Sequence, residues 1–349
     1  MAEINFVTLR DAVNRELKRE AVHLASDPLL PSEVTSFFPT GWTLLDAAIG
    51  GGIPAGRVIE LYGEESSGKS TLCYQLVRSI QQQGGVAIYL DVENTFPKDL
   101  AKSMGVDLDK MILVQESILL DGKHNIFDYL LRFIDLVKKE DSEAPILFIW
   151  DTLAMTATEG ELKEDEGQTG PLYRAKTIRD GLRKVLAALA KANAALVVVN
   201  HVHEVVSDRA RWGGKLLTTS GGMAVKYASS VRIMLRSGAY IYDEDKRALG
   251  AEITAKVEKS KLCMPRGVVK SRLYFGLGYD DRWSVYDYLK DKGVIEQKGA
   301  WSNIPSPTGE VVKCYPSKYL ETLSANPGLF EHLASLARAH YEAQAPVYA

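Results

Sequence analysis

Short apolar runs rich in β-branched residues alternate with helical segments from residue 57 to residue 200. Continuous runs such as Ile146–Trp150 predict strands that are buried on both faces, which is typical of a parallel sheet covered by helices. The pattern therefore predicts an α/β fold with a mostly parallel central sheet. The predicted strands are 57–62, 86–91, 111–115, 146–151 and 195–200, and the predicted helices are 75–83, 126–139 and 178–192.

The pattern changes beyond residue 230. Three further β-like segments follow one another without long helices between them, so we expect the sheet to continue there with antiparallel strands. After Gly278 the chain consists of short helices and turns, which predicts a small C-terminal α/β module. The three β-like segments are 231–236, 251–258 and 270–275, and helical patterns in the module cover 283–290 and 329–341.

The N-terminal segment has its own helical pattern. Five apolar residues recur between charged ones and predict a single amphipathic helix over 9–24, followed by a proline-containing connector over 27–39. Because so short a helix is not stable alone, it must dock on the chain's own core or on a neighbouring subunit, and the connector permits both. The five residues are Leu9, Val13, Leu17, Ala21 and Leu24.

Length and charge restrict the possible classes of protein. A chain of 349 residues exceeds the size at which one core usually stops growing, so we expect a large central domain with smaller appendages. Lys and Arg number 42 and Asp and Glu number 45, which gives a net charge of −3. This balance excludes a wholly basic surface that coats nucleic acid, and it confines any DNA contact to local basic loops.

Cysteine spacing and hydropathy indicate the cellular compartment. Cys73, Cys263 and Cys314 are far apart and form no metal-binding or CxxC pattern, which favours a reduced cytosolic protein. The N-terminus lacks the apolar region of a signal peptide, and no stretch approaches about 18 consecutive apolar residues. We therefore expect a cytoplasmic protein that is neither exported nor membrane-spanning.

Residues 63–70 read Gly-Glu-Glu-Ser-Ser-Gly-Lys-Ser, between the predicted strand 57–62 and a helix that starts near Lys69. In a phosphate-binding loop of this type, backbone N–H groups approach the phosphates, Lys69 reaches the terminal phosphates, and Ser70 places its hydroxyl on Mg²⁺. A chance match is the alternative, and the flanking strand and helix argue against it. The segment predicts a nucleoside triphosphate site formed by Gly63, Glu64, Ser66, Ser67, Gly68, Lys69, Ser70 and Thr71.

Two carboxylates are candidates for the chemistry at this site. Asp151 ends a predicted strand, where parallel sheets place their ligands, so we expect it to hold Mg²⁺ directly or through water; a capping role at the strand exit is the alternative. Glu93 leaves another predicted strand and is expected to orient or deprotonate the water that attacks the γ-phosphate. The sequence alone does not separate Glu93 from its neighbour Asp91.

His201 follows the predicted strand 195–200. A side chain at this position can touch the γ-phosphate and report its presence to the segment that follows, which would make it a switch. A purely structural role is the alternative, since His203 two residues later shows that histidines here need no special role.

Two polar segments without helical or strand periodicity are candidate DNA contacts. The segment between His203 and Gly222 places basic residues beside an aromatic one, which suits phosphate contacts and base stacking; a solvated surface loop is the alternative. The segment 156–171 is acidic, which counts against the same role. The residues that we expect to contact DNA are Arg174, Arg209, Arg211, Trp212, Lys215, Gly221 and Gly222.

Taken together, these motifs resemble those of the RecA family of DNA strand-exchange recombinases, from about Val34 to the C-terminal region. Phage-encoded RecA-like recombinases are a candidate subgroup. The resemblance is carried by Gly51–Arg57, Gly63–Thr71, Asp91–Glu93, Thr218–Gly222, Lys226–Ser229, Lys259–Lys261 and Gly299–Trp301.

The resemblance implies an organisation and a shared active site. It implies a P-loop ATPase core over 39–278, an N-terminal polymerisation arm over 1–38 and a small C-terminal domain over 279–349. Within the core, it implies that Glu93 is the catalytic glutamate and Asp151 the second metal aspartate. Across the subunit interface, it implies that Lys259 and Lys261 reach ATP, with Tyr227 beside them. Such lysines supply the charge stabilisation that an arginine finger supplies elsewhere.

The resemblance also implies two DNA-binding loops, 156–171 and 202–220. Single-stranded DNA would pass along the filament axis through these loops. Stacking and backbone contacts tolerate any sequence, as a recombinase requires, because base pairing between the strands supplies the test of homology.

Three features depart from the family's pattern. His201 replaces a glutamine that senses the γ-phosphate; because imidazole changes charge near neutral pH, we expect a DNA-stimulated ATPase activity that depends on pH. Leu100 falls where the family commonly has an adenine-stacking tyrosine, which leaves the preferred base open. The sequence ends in 343–349 without an acidic tail, so we expect no tail-based restraint on the entry of duplex DNA.

The function that this resemblance implies is ATP- and Mg²⁺-dependent homologous recombination. The chain would form helical filaments on single-stranded DNA, search a homologous duplex and exchange strands, with single-strand-binding and loading proteins as further partners. Two alternatives are a RecA-like mediator that binds DNA and ATP without strand exchange, and a ring-forming helicase with a related core. The N-terminal arm, the two loops and the lysine pair argue against the ring.

Overall fold

The chain divides into two compact units, Met1–Thr35 and Ser36–Ala349. The larger unit contains a ten-stranded sheet and the phosphate loop. The computed structural model describes residues 4–27, 30, 33–115, 119–163, 170–204, 217–220, 222–263 and 267–343.

All eight segments that the apolar pattern predicts as strands are strands in the structure. Two of them, 86–91 and 146–151, have the predicted bounds. The described strands are β1 (Phe37–Phe38), β2 (Ile53–Pro54), β3 (Val58–Gly63), β4 (Val86–Asp91), β5 (Met111–Val114), β6 (Ile146–Asp151), β7 (Ala194–Glu204), β8 (Leu217–Thr219), β9 (Val231–Tyr242), β10 (Ala248–Ser260), β11 (Val268–Tyr274), β12 (Gly278–Asp280), β13 (Glu296–Lys298), β14 (Trp301–Pro305) and β15 (Val311–Cys314).

Two of the helices begin at a recognisable signal in the sequence. The side chain of Asn125 accepts the N–H groups of Phe127 and Asp128, each at 3.1 Å, and Pro171 opens the longest helix with a φ angle that suits the first turn. Among the described residues, no helix is both long and apolar enough to cross a bilayer. The helices are α1 (Phe6–Leu17), α2 (Thr43–Ile49), α3 (Lys69–Gln82), α4 (Lys98–Ser103), α5 (Ile126–Glu140), α6 (Glu159–Lys163), α7 (Pro171–Lys191), α8 (Gly222–Ala228), α9 (Asp281–Asp291), α10 (Tyr319–Ala325) and α11 (Leu329–Ala343).

The central sheet has the strand order β12-β11-β10-β9-β3-β7-β6-β4-β5, with β8 paired to β7. The strands from β9 to β5 in this order pair in parallel. The strands from β9 to β12 pair antiparallel. The prediction of a mostly parallel sheet with an antiparallel continuation is confirmed.

Strand β6 shows how the sheet divides the core into two layers. Its side chains point alternately to opposite faces, and all five residues Ile146–Trp150 are fully buried. Ile146, Phe148 and Trp150 pack in the layer that contains α5 and α7, whereas Leu147 and Ile149 pack in the layer that contains α2 and α3. The sheet is therefore covered by helices on both faces, as the continuous apolar run predicts.

Helix α1 is shorter than the predicted helix over 9–24. It begins after Asn5, whose side chain caps it, and it ends because Lys18 adopts a left-handed conformation with φ 52°. The chain then turns back, and the amide of Asn14 exchanges two hydrogen bonds of 2.8 Å with the backbone of Val22. No residue of α1, all of which the structure describes, is buried within this chain.

The two predicted DNA loops contain more regular structure than expected. The segment 156–171 includes α6 and the first residue of α7, and its residues 164–169 lie outside the described residues. The segment 202–220 includes the end of β7 and all of β8, which pair antiparallel. Its residues 205–216 also lie outside the described residues.

The C-terminal part forms a small α/β module, as predicted. Strands β13, β14 and β15 make a separate antiparallel sheet. The hydroxyl of Tyr286 in α9 lies 2.6 Å from that of Ser302 in β14, and its ring lies 4.6 Å from the ring of Tyr319. Buried residues of α9 and α11 belong to the same core layer as α2 and α3, so the module packs directly on the central sheet unit.

Two carboxyl groups, one buried and one half-buried, lie where α2 meets α9. Asp46 accepts the N–H of Thr40 at 2.9 Å, and Asp281 accepts the N–H of Thr43 at 2.7 Å and its hydroxyl at 2.6 Å. Burial raises the pKa of Asp46 to about 7 and that of Asp281 to about 6, while Arg338 opposes both shifts. Both carboxyls therefore bind protons more tightly in the folded chain than in the unfolded chain.

These raised pKa values make stability fall as pH rises. The folded-state pKa of each group lies above its ordinary value of 3.8, so its stabilising contribution is complete below that value and is lost as pH rises through 6 and 7. We therefore expect these two groups to lower the free energy of unfolding in urea between about pH 4 and 7. Asp46→Asn should reduce this decrease, because an amide does not titrate. An unchanged pH dependence in the variant would contradict the assignment.

Candidate active site

The ends of four parallel strands meet at one pocket. In the register of the sheet, Gly63 at the end of β3 pairs with His201 of β7, and Asp91 at the end of β4 pairs with Asp151 at the end of β6. The pocket lies beyond these carboxyl ends, as is typical of ligand crevices in parallel sheets. The sequence-predicted residues that line it are Ser66, Ser67, Gly68, Lys69, Ser70, Thr71, Glu93, Asp151 and His201.

The loop that joins β3 to α3 requires glycine at two positions. A Cβ atom on Gly63 would lie 2.3 Å from the carbonyl oxygen of Leu235. Gly68 has a φ of 87°, and a Cβ atom there would lie 2.3 Å from the hydroxyl of Tyr279. Helix α3 begins directly after Gly68, so its first backbone N–H groups have no intrahelical partners and are available to phosphate oxygens. The loop therefore fits a triphosphate.

The side chain of Lys69 lies against this loop. Its Nζ donates to the carbonyl oxygens of Gly63 at 3.0 Å and Glu64 at 2.7 Å. Burial lowers the pKa of Lys69, and the carboxylate of Asp151 opposes that shift. Exchanging these neutral acceptors for phosphate oxygens would add attraction between opposite charges to hydrogen bonds whose donor is already an ammonium group.

Ser70 and Asp151 form the candidate magnesium site. The hydroxyl of Ser70 donates to Oδ2 of Asp151 at 3.2 Å, and the buried hydroxyl of Tyr89 donates to the same oxygen. Burial raises the pKa of Asp151, whereas the hydrogen bond from Tyr89 lowers it. Hydroxyl and carboxylate oxygens are ligands that Mg²⁺ accepts in proteins. Among the described residues, no group of three or more acidic, histidine or cysteine side chains is arranged to hold a metal ion, so an ion here would take further ligands from phosphate and water.

The geometry distinguishes Glu93 from Asp91. Asp91 is buried, and its carboxylate accepts the N–H groups of Thr95 and Phe96 and the side-chain amide of Gln115. Asp91 also borders the pocket, but these bonds engage both of its carboxylate oxygens and hold the turn that follows β4. The side chain of Glu93 is 31% exposed and lines the pocket, which favours Glu93 as the base.

Glu93 also contacts the residues that could direct it. The hydroxyl of Thr152 donates to Oε1 of Glu93 at 2.9 Å, and Nε2 of His201 lies 3.8 Å from the same oxygen. The side chain of His201 is 33% exposed at the pocket. A group that enters the pocket can therefore contact Glu93 and His201 together, which is the arrangement that a γ-phosphate sensor beside a general base requires.

A buried ion pair connects the strands around the loop. Glu60, in the middle of β3, is fully buried and accepts the side-chain amide of Asn200 at 3.0 Å and Nε of Arg232 at 2.6 Å. Arg232 also lies 3.7 Å from the carboxylate of Glu258, which accepts the hydroxyl of Tyr62. The amide of Asn200, the residue before His201, reaches the carbonyl oxygen of Ser220 at 2.9 Å. The pair thus ties β3, β7, β9 and β10 together.

Lys259 lies near the end of β10 and Lys261 just after it, and neither lines the pocket of its own chain. Nζ of Lys259 donates to the carbonyl oxygen of Lys226 in α8. Burial, and next the charge of Lys261, lower the pKa of Lys259. Tyr227 in α8 is 70% exposed. The three residues share one surface region, but none of them lines the pocket described above.

The expected DNA-binding residues are only partly covered by the structure. Arg209, Arg211, Trp212, Lys215 and Gly221 lie outside the described residues. Gly222 is the first residue of α8, with a φ of 60° and open space where a Cβ would lie. Arg174 pairs with Glu161 at 3.2 Å and donates to the carbonyl oxygens of Leu153 at 2.7 Å and Ala154 at 3.2 Å. In this structure Arg174 joins α7 to the chain after β6.

Leu100 was expected to contact the nucleotide base but does not line the pocket. Leu100 lies in α4 and packs, half-buried, on the core layer of α3. Sequence reasoning missed Tyr89, Thr152 and Tyr279, which bond to Asp151, Glu93 and the phosphate loop. The first and third resemble ordinary core tyrosines in the sequence. Thr152 follows Asp151 directly, and that adjacency was a usable signal.

Comparisons with known proteins agree with the geometry. The family description of the RecA N-terminal domain matches residues 11–280. Protein RecA of Bifidobacterium breve is 31% identical over 327 residues, which are 93% of this chain and 78% of that protein. Protein RecA of Thermus aquaticus is 32% identical over 291 residues, which are 83% of this chain and 81% of that protein. The chain belongs to the RecA family of DNA strand-exchange recombinases.

Proposed function

We propose that this chain is an ATP- and Mg²⁺-dependent recombinase that forms helical filaments on single-stranded DNA, finds homology in a duplex and exchanges strands. Family membership supports this activity. The observation that carries the residue assignment is the convergence of Lys69, Asp151, Glu93 and His201 on one pocket. Binding of ATP stabilises the active filament, and hydrolysis promotes release, because a ligand shifts an equilibrium through differential affinity.

Each side chain of the pocket has a separate role in this proposal. The loop and Lys69 bind the phosphates, and Ser70 with Asp151 holds Mg²⁺, which neutralises charge between the phosphates when it is bound. Glu93, oriented by Thr152, accepts a proton from the attacking water. His201 contacts the γ-phosphate and transmits its presence to the segment after β7.

The remaining groups act between subunits and on DNA. Lys259 and Lys261 reach the ATP of a neighbouring subunit, beside Tyr227, and segment 1–38 is the polymerisation arm. The exposed apolar side chains of α1, among them Phe6 at 65% and Leu9 at 54%, support such docking. The segments 156–171 and 202–220 bind DNA. Residues 279–349 act as the small C-terminal domain.

The cellular setting follows from the same proposal. Its partners are single-stranded DNA, a homologous duplex, further copies of the chain, and single-strand-binding and loading proteins. It works in the bacterial cytoplasm. If a phage encodes the protein, this is the cytoplasm of the phage's host. Because residue 100 is leucine, it cannot stack on the adenine base as an aromatic side chain would.

Strand exchange between circular single-stranded DNA and homologous linear duplex tests the proposal, with Lys69→Ala as the control. The proposal is supported if joint molecules require ATP and form with the wild-type chain but not with Lys69→Ala. DNA-stimulated hydrolysis and filaments without joint molecules would instead identify a mediator. Closed hexamers in particle images would identify a ring-forming helicase.

His201→Gln should reduce the pH dependence of ATP hydrolysis on single-stranded DNA. Histidine is the residue type whose charge can change near neutral pH, and Nε2 of His201 lies 3.8 Å from the carboxylate of Glu93, whereas glutamine has no such charge change. The measurement is the rate of DNA-stimulated hydrolysis between about pH 5.5 and 8 for both proteins. Two superimposable profiles would show that His201 does not set the pH response.

A further inference from the structure

A tyrosine that does not line the pocket contacts the phosphate loop through its hydroxyl. The hydroxyl of Tyr279, in β12, donates to the carbonyl oxygen of Gly68 at 3.0 Å. The contact joins residues 211 positions apart in the chain. Gly68 is the residue that precedes α3, and the space for its Cβ is filled by this hydroxyl. The loop and Tyr279 are therefore shaped to fit each other.

Both the ring and the backbone of Tyr279 are held by neighbouring residues. It stacks on the fully buried indole of Trp42, with ring centroids 5.1 Å apart and planes 20° apart. The indole N–H of Trp42 donates to Ser284 at 2.9 Å. The backbone N–H of Tyr279 donates to the side chain of Gln75 in α3 at 2.6 Å. A side chain held in this way cannot turn its hydroxyl away from the loop without disturbing the core.

The acceptor of this bond belongs to the peptide between Gly68 and Lys69, two residues that line the pocket. The carbonyl oxygen of Gly68 also accepts the N–H of Leu72 at 3.0 Å, which is the first bond within α3. The other end of the same peptide is the N–H of Lys69, one of the free donors at the start of the helix. A second donor at the carbonyl fixes the peptide plane and polarises it, which strengthens the N–H as a donor.

We propose that Tyr279 is a positioning residue of the nucleotide site, which holds and polarises the Gly68–Lys69 peptide so that its N–H binds a phosphate oxygen. This inference rests on the proposed function, because it assumes that the loop binds nucleotide. Burial raises the pKa of Tyr279, so the hydroxyl stays protonated and remains a donor throughout the physiological range.

Tyr279→Phe tests the inference, with Tyr286→Phe as a matched control. Both changes delete one buried hydroxyl that makes one hydrogen bond, and the bond of Tyr286 is to Ser302 in the C-terminal module. Binding of Mg·ADP to the full-length protein is measured by titration calorimetry, and unfolding in urea is followed for all three proteins. We expect both variants to lose stability to a similar extent. We expect the dissociation constant of Mg·ADP to rise by about 5- to 10-fold in Tyr279→Phe alone.

Steady-state kinetics provide a second readout that a purely structural role would not move. In Tyr279→Phe the KM for ATP should rise by the same factor, while kcat changes by less than about twofold, because the lost interaction is made in the ground state and the transition state alike. Equal ADP affinity in Tyr279→Phe and the wild-type protein would overturn the inference and leave the proposed function intact. An equal loss of affinity in Tyr286→Phe would also overturn it, since the effect would then be one of stability. Absence of ADP binding by the wild-type protein would overturn the proposed function itself.

Discussion

Glu93→Gln should lower the rate of ATP hydrolysis on single-stranded DNA by about 10²- to 10⁴-fold, the range that a general base contributes. The amide keeps the size of the side chain and its contact with Thr152, but it cannot accept the proton of the attacking water. Nucleotide binding and filament formation should persist, because Lys69 and the loop are unchanged. Hydrolysis is measured as release of inorganic phosphate.

Glu65→Gln is the matched control for this experiment. Glu65 also lines the pocket, as a carboxylate of the phosphate loop, and its change should alter the rate by less than about threefold, as expected for a group outside the proton transfer. A similar loss in both variants would show that the charge of the pocket matters and that Glu93 has no special role.

Mixing two inactive variants tests whether the active site is shared. Glu93→Gln and Lys259→Ala each remove one half of the proposed site, but a filament that contains both variants forms some interfaces with an intact Glu93 and an intact Lys259. In a random equal mixture about one quarter of the interfaces are of this kind, because the contact between successive subunits is heterologous. Recovery of about a quarter of the wild-type rate is therefore expected. No recovery would place Lys259 outside the neighbour's site.

Arg232→Met should lower the free energy of unfolding by about 3 to 5 kcal/mol, the usual cost of leaving a buried charge without its partner. The change removes the 2.6 Å bond to Glu60, which is fully buried in the central strand of the sheet. Asn200 would remain as the neutral donor to that carboxylate. Unfolding in urea measures the effect.

The control for Arg232→Met is Arg236→Met, four residues along the same strand. Arg236 is exposed, so its change should stay within about 0.5 kcal/mol of the wild type. Adding Glu60→Gln to Arg232→Met should restore part of the lost stability, because the unpaired charge is then gone. If the double variant is as unstable as the sum of the single variants, the two side chains do not act as a pair.

The fold was predictable because it follows from long apolar runs. Ile146–Trp150 is apolar at every position, as a strand buried on both faces requires. The ends of the helices were less predictable. Helix α1 ends at Leu17 although apolar residues continue at helical spacing to Leu24, because Asn14 binds the returning backbone in place of a further turn. Helix α7 starts at Pro171, seven residues before its predicted start at 178.

The residues of the candidate phosphate loop and Asp151 could be singled out from the sequence because the chemistry proposed for them fixes residue types at short spacing, and the structure brings them to one pocket. The choice between Asp91 and Glu93 could not be made from the sequence, since both residues follow the same strand. The structure shows that the carboxylate of Asp91 already accepts three hydrogen bonds. Tyr89 and Tyr279 carried no signal, because their partners lie 62 and 211 residues away. A tyrosine in an apolar strand has the same appearance in a sequence whether or not its hydroxyl supports a site.

The position of β3 in the sheet has a consequence for biosynthesis. This strand carries the phosphate loop near the start of the chain, yet its two neighbours are β7 and β9, which end at residues 204 and 242. A nascent chain leaves the ribosome from its N-terminus, so β3 emerges long before either neighbour exists. The nucleotide pocket is therefore assembled late in translation, and ATP cannot act as an early template for folding.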